Sequence, residues 1–346
     1  MNYQGKTVDT IIWLQTSFLG DIILNTGAFN LVKKLYPKVR QVLITTPVGQ
    51  KALADHPAID QFIVFHKKSM SLPKAISSIK AQLKNSELGH GVLLQAHKSY
   101  RSSLLAMSLG FPRITYEESS FAFGARLVPR VAILHESIRA ALLLEPLGLS
   151  REELFQSKMS LAVKEGNEAS DTCFQGASGS LIAMAPGSVW GTKRWPAEYY
   201  AELAQNIIND GHTLVLMGSA QEEEQAEVIR KVIGSHERVI DLVGRTSLDD
   251  LRAIYPKLDL IVCNDSSPIH YASAFDVPTL AIFGPTVPAM GFGPRSSKNK
   301  VLGIQSKDMP CRPCSDHGPQ RCPLSHFGCM KQLTVETVYA HLKQLL

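Results

Sequence analysis

The hydrophobic positions of this chain fall into short apolar runs, each followed by a stretch whose apolar residues recur at helical spacing. The first run spans residues 7–15 (TVDTIIWLQ) and predicts a strand. After a loop at 16–20, Leu24, Ala28, Leu31, Val32 and Leu35 share one helical face, which predicts a helix over 21–35. Runs at 41–46, 61–65, 91–95 and 113–116 predict further strands. A short helix follows Pro47 and ends near His56-Pro57, and others lie over 73–84, from about 101 to 109, and over 137–145, where Pro146 stops it. The segment 163–180 (VKEGNEASDTCFQGASGS) is polar, Gly/Ser-rich and weakly periodic. Beyond it the pattern restarts, with strands at 181–185, 213–217, 239–242, 258–263 and 279–283 and helices at 196–210, 221–232 and 247–255. A further helix begins at Ser267-Pro268, a good N-cap followed by a residue suited to the first helical position. Residues 334–346 read as a terminal helix.

This βαβα alternation predicts an α/β protein with parallel sheets and helices on both faces. The restart predicts two Rossmann-like domains, over 1–165 and 181–332, joined by a linker at 166–180 and followed by a terminal helix at 333–346. Ligands of open parallel sheets gather at the carboxyl ends of the strands. Two such sheets facing across a cleft would set the 16–21 loop opposite the 186–195 and 264–270 loops.

Composition narrows the class. The chain has 346 residues, 45% of them hydrophobic and 19% charged, which suits a globular protein with two cores. No apolar run approaches the roughly 18–20 residues that span a bilayer. The polar N-terminus MNYQGKTVDT lacks the apolar region of a signal peptide, so a cytoplasmic protein is expected. The net charge of +5 favours an anionic ligand or an anionic membrane surface, and no nucleic-acid signature accompanies it. Of six cysteines, four cluster late as C-x2-C-x7-C-x6-C: Cys311, Cys314, Cys322 and Cys329. One C-x2-C pair falls short of the two that zinc ribbons prefer, so a structural zinc is secondary to a reduced, loop-rich segment.

The candidate chemistry sits where strands meet helices. Asp21 follows a Gly at the first strand-to-helix junction. It reads either as a general base for an incoming hydroxyl or as an acidic first-turn residue complementing the helix dipole. The loop PGSVWGTKRWP, residues 186–196, offers two Gly, small hydroxyls and the pair Lys193-Arg194. It suits a phosphate, though it matches no P-loop and a solvated basic loop is the alternative. Glu222, in the acidic run 222–224, reads either as a ribose ligand or as dipole complementarity. His270, in the opening turn of the helix after Ser267, reads as a donor to phosphate or as a core histidine. No D-x-D pair is present to bridge a diphosphate through a metal, which leaves Lys193, His270 and backbone N–H groups to stabilise a leaving diphosphate.

Three stretches together resemble the heptosyltransferases of lipopolysaccharide core assembly, glycosyltransferase family 9: TSFLGDIILNTGAF, APGSVWGTKRWPAEYYAELA and NDSSPIHYASAFDVPTLAIFGPT. The tail CRPCSDHGPQRCPLSHFGCM is similar to the tails of many second heptosyltransferases. The resemblance implies a GT-B fold and an inverting, metal-independent transfer without a cofactor. The donor would be ADP-L-glycero-D-manno-heptose. The acceptor would be a Kdo- or heptose-bearing lipid A core at the inner face of the inner membrane, with peripheral membrane contact. By motif position Asp21 matches the catalytic base, Lys193 and Ser188 the donor-phosphate loop, and Glu222 the ribose acid. Asp265, Ser266 and His270 match the D-[ST]-G-x-x-H motif, in which Ser267 and Pro268 here replace Gly and a variable residue. Ser267 is counted with the donor-binding residues. Lys98 and Arg101 fit the acceptor side by position. The alternatives are a glycosyltransferase with another nucleotide-sugar donor or acceptor, and a non-catalytic nucleotide-sugar-binding protein.

Overall fold

The computed structural model describes residues 1–67 and 69–346, with the side chains of 168–170 outside the description. It divides into two compact units, Met1–Ala162 and Val163–Leu346.

The first unit opens with an antiparallel hairpin of β1 (Asn2–Tyr3) and β2 (Lys6–Thr7). Its sheet contains β3 (Thr10–Leu14), β4 (Arg40–Thr45), β5 (Gln61–Val64), β6 (Gly91–Gln95), β7 (Arg113–Tyr116) and β8 (Ala125–Val128). The order is β5-β4-β3-β6-β7-β8, and every pairing is parallel. Helices α1 (Leu19–Leu24), α2 (Thr26–Leu35), α3 (Pro47–Ala52), α4 (Leu72–Lys84), α5 (Tyr100–Leu109), α6 (Glu136–Leu142) and α7 (Arg151–Phe155) connect and cover it. All five residues of β3 and of β6 are buried, as expected for strands covered on both faces.

The second unit repeats the plan. Helix α8 (Glu168–Cys173) precedes β9 (Leu181–Ala185), α9 (Ala197–Asn209), β10 (Thr213–Leu216), α10 (Glu223–Ile233), β11 (Val239–Asp241), α11 (Leu248–Ile254), β12 (Leu260–Asn264), α12 (Ser267–Ala274), β13 (Thr279–Ile282) and β14 (Asn299–Leu302). The order is β11-β10-β9-β12-β13-β14, again all parallel. Residues 303–327 form neither helix nor strand; α13 (Gly328–Lys331) and α14 (Val335–Leu345) follow, and α14 packs on α9, β13 and β14.

Several expected elements shift. The helix expected over 21–35 is two helices broken at Asn25, whose side-chain amide donates to the Asp21 carbonyl at 2.8 Å. Thr26 likewise donates its hydroxyl to the Ile23 carbonyl at 2.7 Å, so local side chains compete with the helical ladder at this point. The N-cap of α12 is Ser266 rather than Ser267, which is the exposed first helical residue. The helix expected over 137–145 ends at Leu142, and Pro146 lies in a separate 3-10 turn, Glu145–Leu147. Within the polar segment 166–180, α8 is tied to the second unit: Lys257 pairs with Asp171, and Asn167 donates to Asp250 at 2.7 Å.

In each sheet the strand order reverses beside the first long strand, between β3 and β6 and between β9 and β12. Such switch points open a crevice outside the strand ends. In the first unit a buried amide on β4 ties β3, α2 and the chain before β5 together. Gln41 accepts from the Trp13 indole at 2.9 Å and donates to the carbonyls of Phe29 and Ala58, each at 2.9 Å. Gln41→Leu is expected to lower stability by about 2–4 kcal/mol, because it orphans an indole N–H and two carbonyls. Urea unfolding checks this, and a loss under about 0.5 kcal/mol would contradict it.

Candidate active site

The second unit gathers most of the residues that the sequence singled out at the carboxyl edge of its sheet. Loop 186–196 leaves β9, loop 217–222 leaves β10, and residues 265–266 join β12 to α12. Lys193 Nζ lies 2.6 Å from Asp265 Oδ2, and this pair is nearly buried, at 12% and 7% side-chain exposure. Thr286, after β13, donates its hydroxyl to the same carboxylate oxygen at 2.6 Å. His270 is buried in α12. Burial and then the Lys193 charge push its pKa down to about 4, so the ring is neutral at pH 7. Its Nδ1 is buried without a hydrogen-bond partner among the described residues.

Glu222 closes a 3-10 turn, Ala220–Glu222, one residue before α10, and forms a capping box with Ser219. Its carboxyl stem lies against Gly187. A Cβ on Gly187 would meet Glu222 Cγ at 2.0 Å, so only glycine lets these two loops meet. Ser188 is buried, and its carbonyl accepts from Arg194 Nε at 2.8 Å. Ser266 Oγ lies 3.4 Å from the Gly187 carbonyl.

Residues beyond the sequence motifs hold this arrangement. Asn264, the buried last residue of β12, donates to the Pro186 carbonyl at 2.7 Å and accepts from Trp195 N and from Tyr200 Oη, each at 3.1 Å. The cysteine-bearing segment braces the lysine loop. Gln320 accepts from Gly191 N and donates to the Val189 carbonyl, both at 3.0 Å, and the His317 ring stacks on Trp190. Arg312 is buried and donates to the carbonyls of Phe283 at 3.0 Å and Thr286 at 2.8 Å. The irregular segment is thus the rear wall of the site. Nothing in its spacing signals this, because its contacts run through single side chains to distant backbone.

None of the six cysteines is in a disulfide, and Cys311, Cys314 and Cys322 line one pocket with Pro323 and Leu324. Burial raises the Cys329 thiol to about 11. Among the described residues no three His, Cys, Asp or Glu side chains are grouped to hold a metal ion, so the secondary expectation of zinc at Cys311, Cys314, Cys322 and Cys329 has no converged ligand set.

In the first unit Asp21 occupies the first turn of α1, at the carboxyl end of β3. Ser17 donates its hydroxyl to Asp21 Oδ2, and the Ser17 backbone N–H donates to the Gln15 side chain at 3.1 Å. Across the switch point, on the loop after β6, His97 Nδ1 lies 2.9 Å from both Thr16 Oγ1 and Ser102 Oγ. Burial, then Lys67, lowers the His97 pKa to about 4. Of the two cations expected on the acceptor side, Lys98 pairs with Glu118 at 2.6 Å and remains half-exposed. Arg101 is committed elsewhere. Its guanidinium donates to the carbonyls of Lys67 and Met70 and lies over the Phe65 ring, so it braces those residues rather than offering a free fork.

Solved structures share this architecture along the whole chain. A glycosyl transferase family 9 protein from Veillonella parvula matches with a TM-score of 0.83 over 99% of each chain, at 22% identity. The Escherichia coli ADP-heptose LPS heptosyltransferase II matches with a TM-score of 0.77 over 97% of this chain and 98% of that one, at 23% identity. The fold is that of a GT-B glycosyltransferase, with two Rossmann-like parallel-sheet units.

The family model of glycosyltransferase family 9 (heptosyltransferase) matches residues 83–319. Curated relatives include lipopolysaccharide heptosyltransferase 2 of Escherichia coli K12, 27% identical over 85% of this chain and 88% of the relative. Lipooligosaccharide heptosyltransferase 2 of Campylobacter jejuni is 24% identical over 95% and 96%. The chain belongs to glycosyltransferase family 9, the heptosyltransferases, and is a glycosyltransferase.

The neutral histidines give a prediction. His56, which contacts the Ser160 carbonyl at 3.1 Å, is pushed to about 4 by burial, like His97 and His270. Unfolded, each ring takes a proton near 6.5. Their contribution is complete above that value and is lost as pH falls toward 4, by up to about 1.4 kcal/mol per pH unit for each ring. The carboxyl groups of Glu118 and Glu153, held down by hydrogen bonds from Lys98 and from the Ser150 backbone, act only at lower pH. Urea midpoints should therefore drop between pH 7 and pH 5; equal midpoints would count against neutral, buried rings.

Proposed function

We propose that this protein moves heptose from ADP-L-glycero-D-manno-heptose onto the inner core of lipopolysaccharide, with inversion and without a metal. The observation that carries the reading is the carboxyl edge of the second sheet. There, in a chain of this family, Lys193, Asp265 and the unpartnered Nδ1 of His270 converge beside the Gly187–Glu222 contact. A diphosphate is the anion that fits this set. Lys193 would leave Asp265 for a phosphate oxygen, with Ser188, Ser266 and Ser267 around it, and His270 would donate from a neutral ring. Glu222 has the acceptor oxygens for ribose hydroxyls.

The first unit is read as the acceptor domain, with the acceptor at the carboxyl ends of its strands. Charge supports that division. Residues 1–162 hold 19 Lys+Arg against 11 Asp+Glu, a balance of +8, and the remaining residues hold 17 against 20, a balance of −3. A Kdo- or heptose-bearing lipid A core carries carboxylates and phosphates that a cationic surface attracts. Lys98 lies at this edge. Asp21 takes the proton of the acceptor hydroxyl, the oxygen forms a bond to the anomeric carbon, and the bond to the diphosphate breaks as ADP departs with its electron pair. Attack opposite the leaving group inverts the anomeric centre. Among the described residues no helix is long and apolar enough to cross a membrane. The acceptor chemistry points to work at the cytoplasmic face of the inner membrane through peripheral contact.

Mass spectrometry of the product formed from ADP-heptose and a core-truncated lipid A tests the reading, alongside a panel of other nucleotide sugars. The reading expects a single heptose added, and transfer from another donor alone would overturn it. Asp21→Ala should cut turnover by ~10²–10⁴ while ADP affinity stays unchanged. Near-normal turnover in that variant would remove Asp21 from the role of base.

A further inference from the structure

We propose that His97 is an acceptor-binding residue. It presents Nε2–H to an oxygen of the acceptor sugar beside Asp21, and a cluster of three hydroxyls fixes its tautomer. The proposal rests on reading the Asp21 edge as the acceptor side.

The placement comes from the sheet. Strands β3 and β6 are parallel neighbours, with Leu14 opposite Gln95, so Thr16 and His97 leave the two strands side by side at the switch point. The backbone N–H groups of Ala96 and His97 both reach the Leu14 carbonyl, at 3.1 and 3.3 Å, and pin the loop down. From His97 the path to the carboxylate is short. The ring contacts Thr16, and the next residue, Ser17, donates to Asp21. The ring and the base are therefore tethered to one dipeptide.

The hydroxyls decide which nitrogen carries the proton. Ser99 donates to Ser102 at 3.0 Å, Ser102 lies 3.0 Å from Thr16, and Thr16 and Ser102 each lie 2.9 Å from Nδ1. When Nδ1 accepts, the hydroxyl protons run in one direction, Ser99 to Ser102 to Thr16 to the ring, and each has an acceptor. With Ser99 donating to Ser102, a proton on Nδ1 would leave the buried Thr16 and Ser102 hydroxyls only each other as acceptors among the described residues, and one of their two protons would be stranded. The ring proton therefore sits on Nε2. That atom makes no hydrogen bond with the described residues and is not among the buried unpartnered atoms, so it faces outward.

A neutral donor suits this position. A cation beside Asp21 would stabilise the carboxylate and weaken it as a base. An uncharged N–H can fix the acceptor's register without that loss. Lys67, on the segment after β5, faces His97 and opposes a second positive charge there. No periodicity or motif marks His97 in the sequence, because its role depends on two loops that meet only when the sheet forms.

The test uses the whole protein with ADP-heptose and a deacylated core acceptor carrying Kdo and heptose. The ¹⁵N resonances of the imidazole should show an unprotonated Nδ1 and a protonated Nε2 at pH 7. His97→Ala should lower kcat/KM for the acceptor roughly three- to ten-fold, mostly through KM, with ADP affinity unchanged. His97→Gln, whose amide can reach the Nε2 position, should restore much of the loss. A proton found on Nδ1, or an unchanged acceptor KM in a folded His97→Ala variant, would overturn the proposal. A parallel Asp21→Asn variant separates the two layers. If it abolishes transfer while His97→Ala does not affect KM, only the His97 role fails. If it turns over normally, the acceptor-side reading beneath it fails as well.

Discussion

The site depends on one nearly buried ion pair. Taking an ammonium and a carboxylate out of water costs several kcal/mol for each ion, and the pair recovers this only with good geometry and further hydrogen bonds. Lys193 and Asp265 have both: a 2.6 Å contact and the Thr286 hydroxyl on the same oxygen. The backbone of Thr286 is held in turn by Arg312. An anion that displaces Asp265 from Lys193 meets a lysine already stripped of most of its water and aimed by its loop. Such preorganisation would make Lys193 the phosphate anchor of the proposed reaction.

The surrounding construction serves that lysine. Asn264 joins the end of β12 to the start of the β9 loop, and Gly187 lets Glu222 come within side-chain contact of the same loop. From behind, Gln320 and His317 hold Val189, Trp190 and Gly191. The irregular segment 303–327 thus has a purpose without regular structure of its own. In the first unit the same plan recurs on a smaller scale: a switch point, a loop after the first central strand in which Ser17 donates to the Asp21 carboxylate, and a polar cluster reaching from the neighbouring strand to Thr16 in that loop.

Much of this was legible before folding. The buried strands β3, β6, β9 and β12 read directly as apolar runs, because both their faces are covered. The restart of the pattern announced the second unit, and Asp21, Lys193, Glu222 and His270 lie at or beside the starts of helices, as their positions in the sequence led one to expect. In the two six-stranded sheets the strands missed were β8 and β14, edge strands whose exposed Arg126, Asn299 and Lys300 break any apolar run. Arg101 was expected on the acceptor side by position, and its fork is spent on the carbonyls of Lys67 and Met70. Asn264, Arg312 and Gln320 were silent for another reason. A buried amide or guanidinium that satisfies distant carbonyls leaves no local pattern, so its partners are known only once the chain has closed.

The central claim is that Lys193 exchanges Asp265 for the diphosphate of the donor. Calorimetric titration of ADP into the wild-type protein and into Lys193→Ala tests it most directly. The account predicts that the variant stays folded and loses roughly ten-fold or more in ADP affinity, the worth of a charge-assisted phosphate contact. ADP affinity equal to that of the wild type would contradict it.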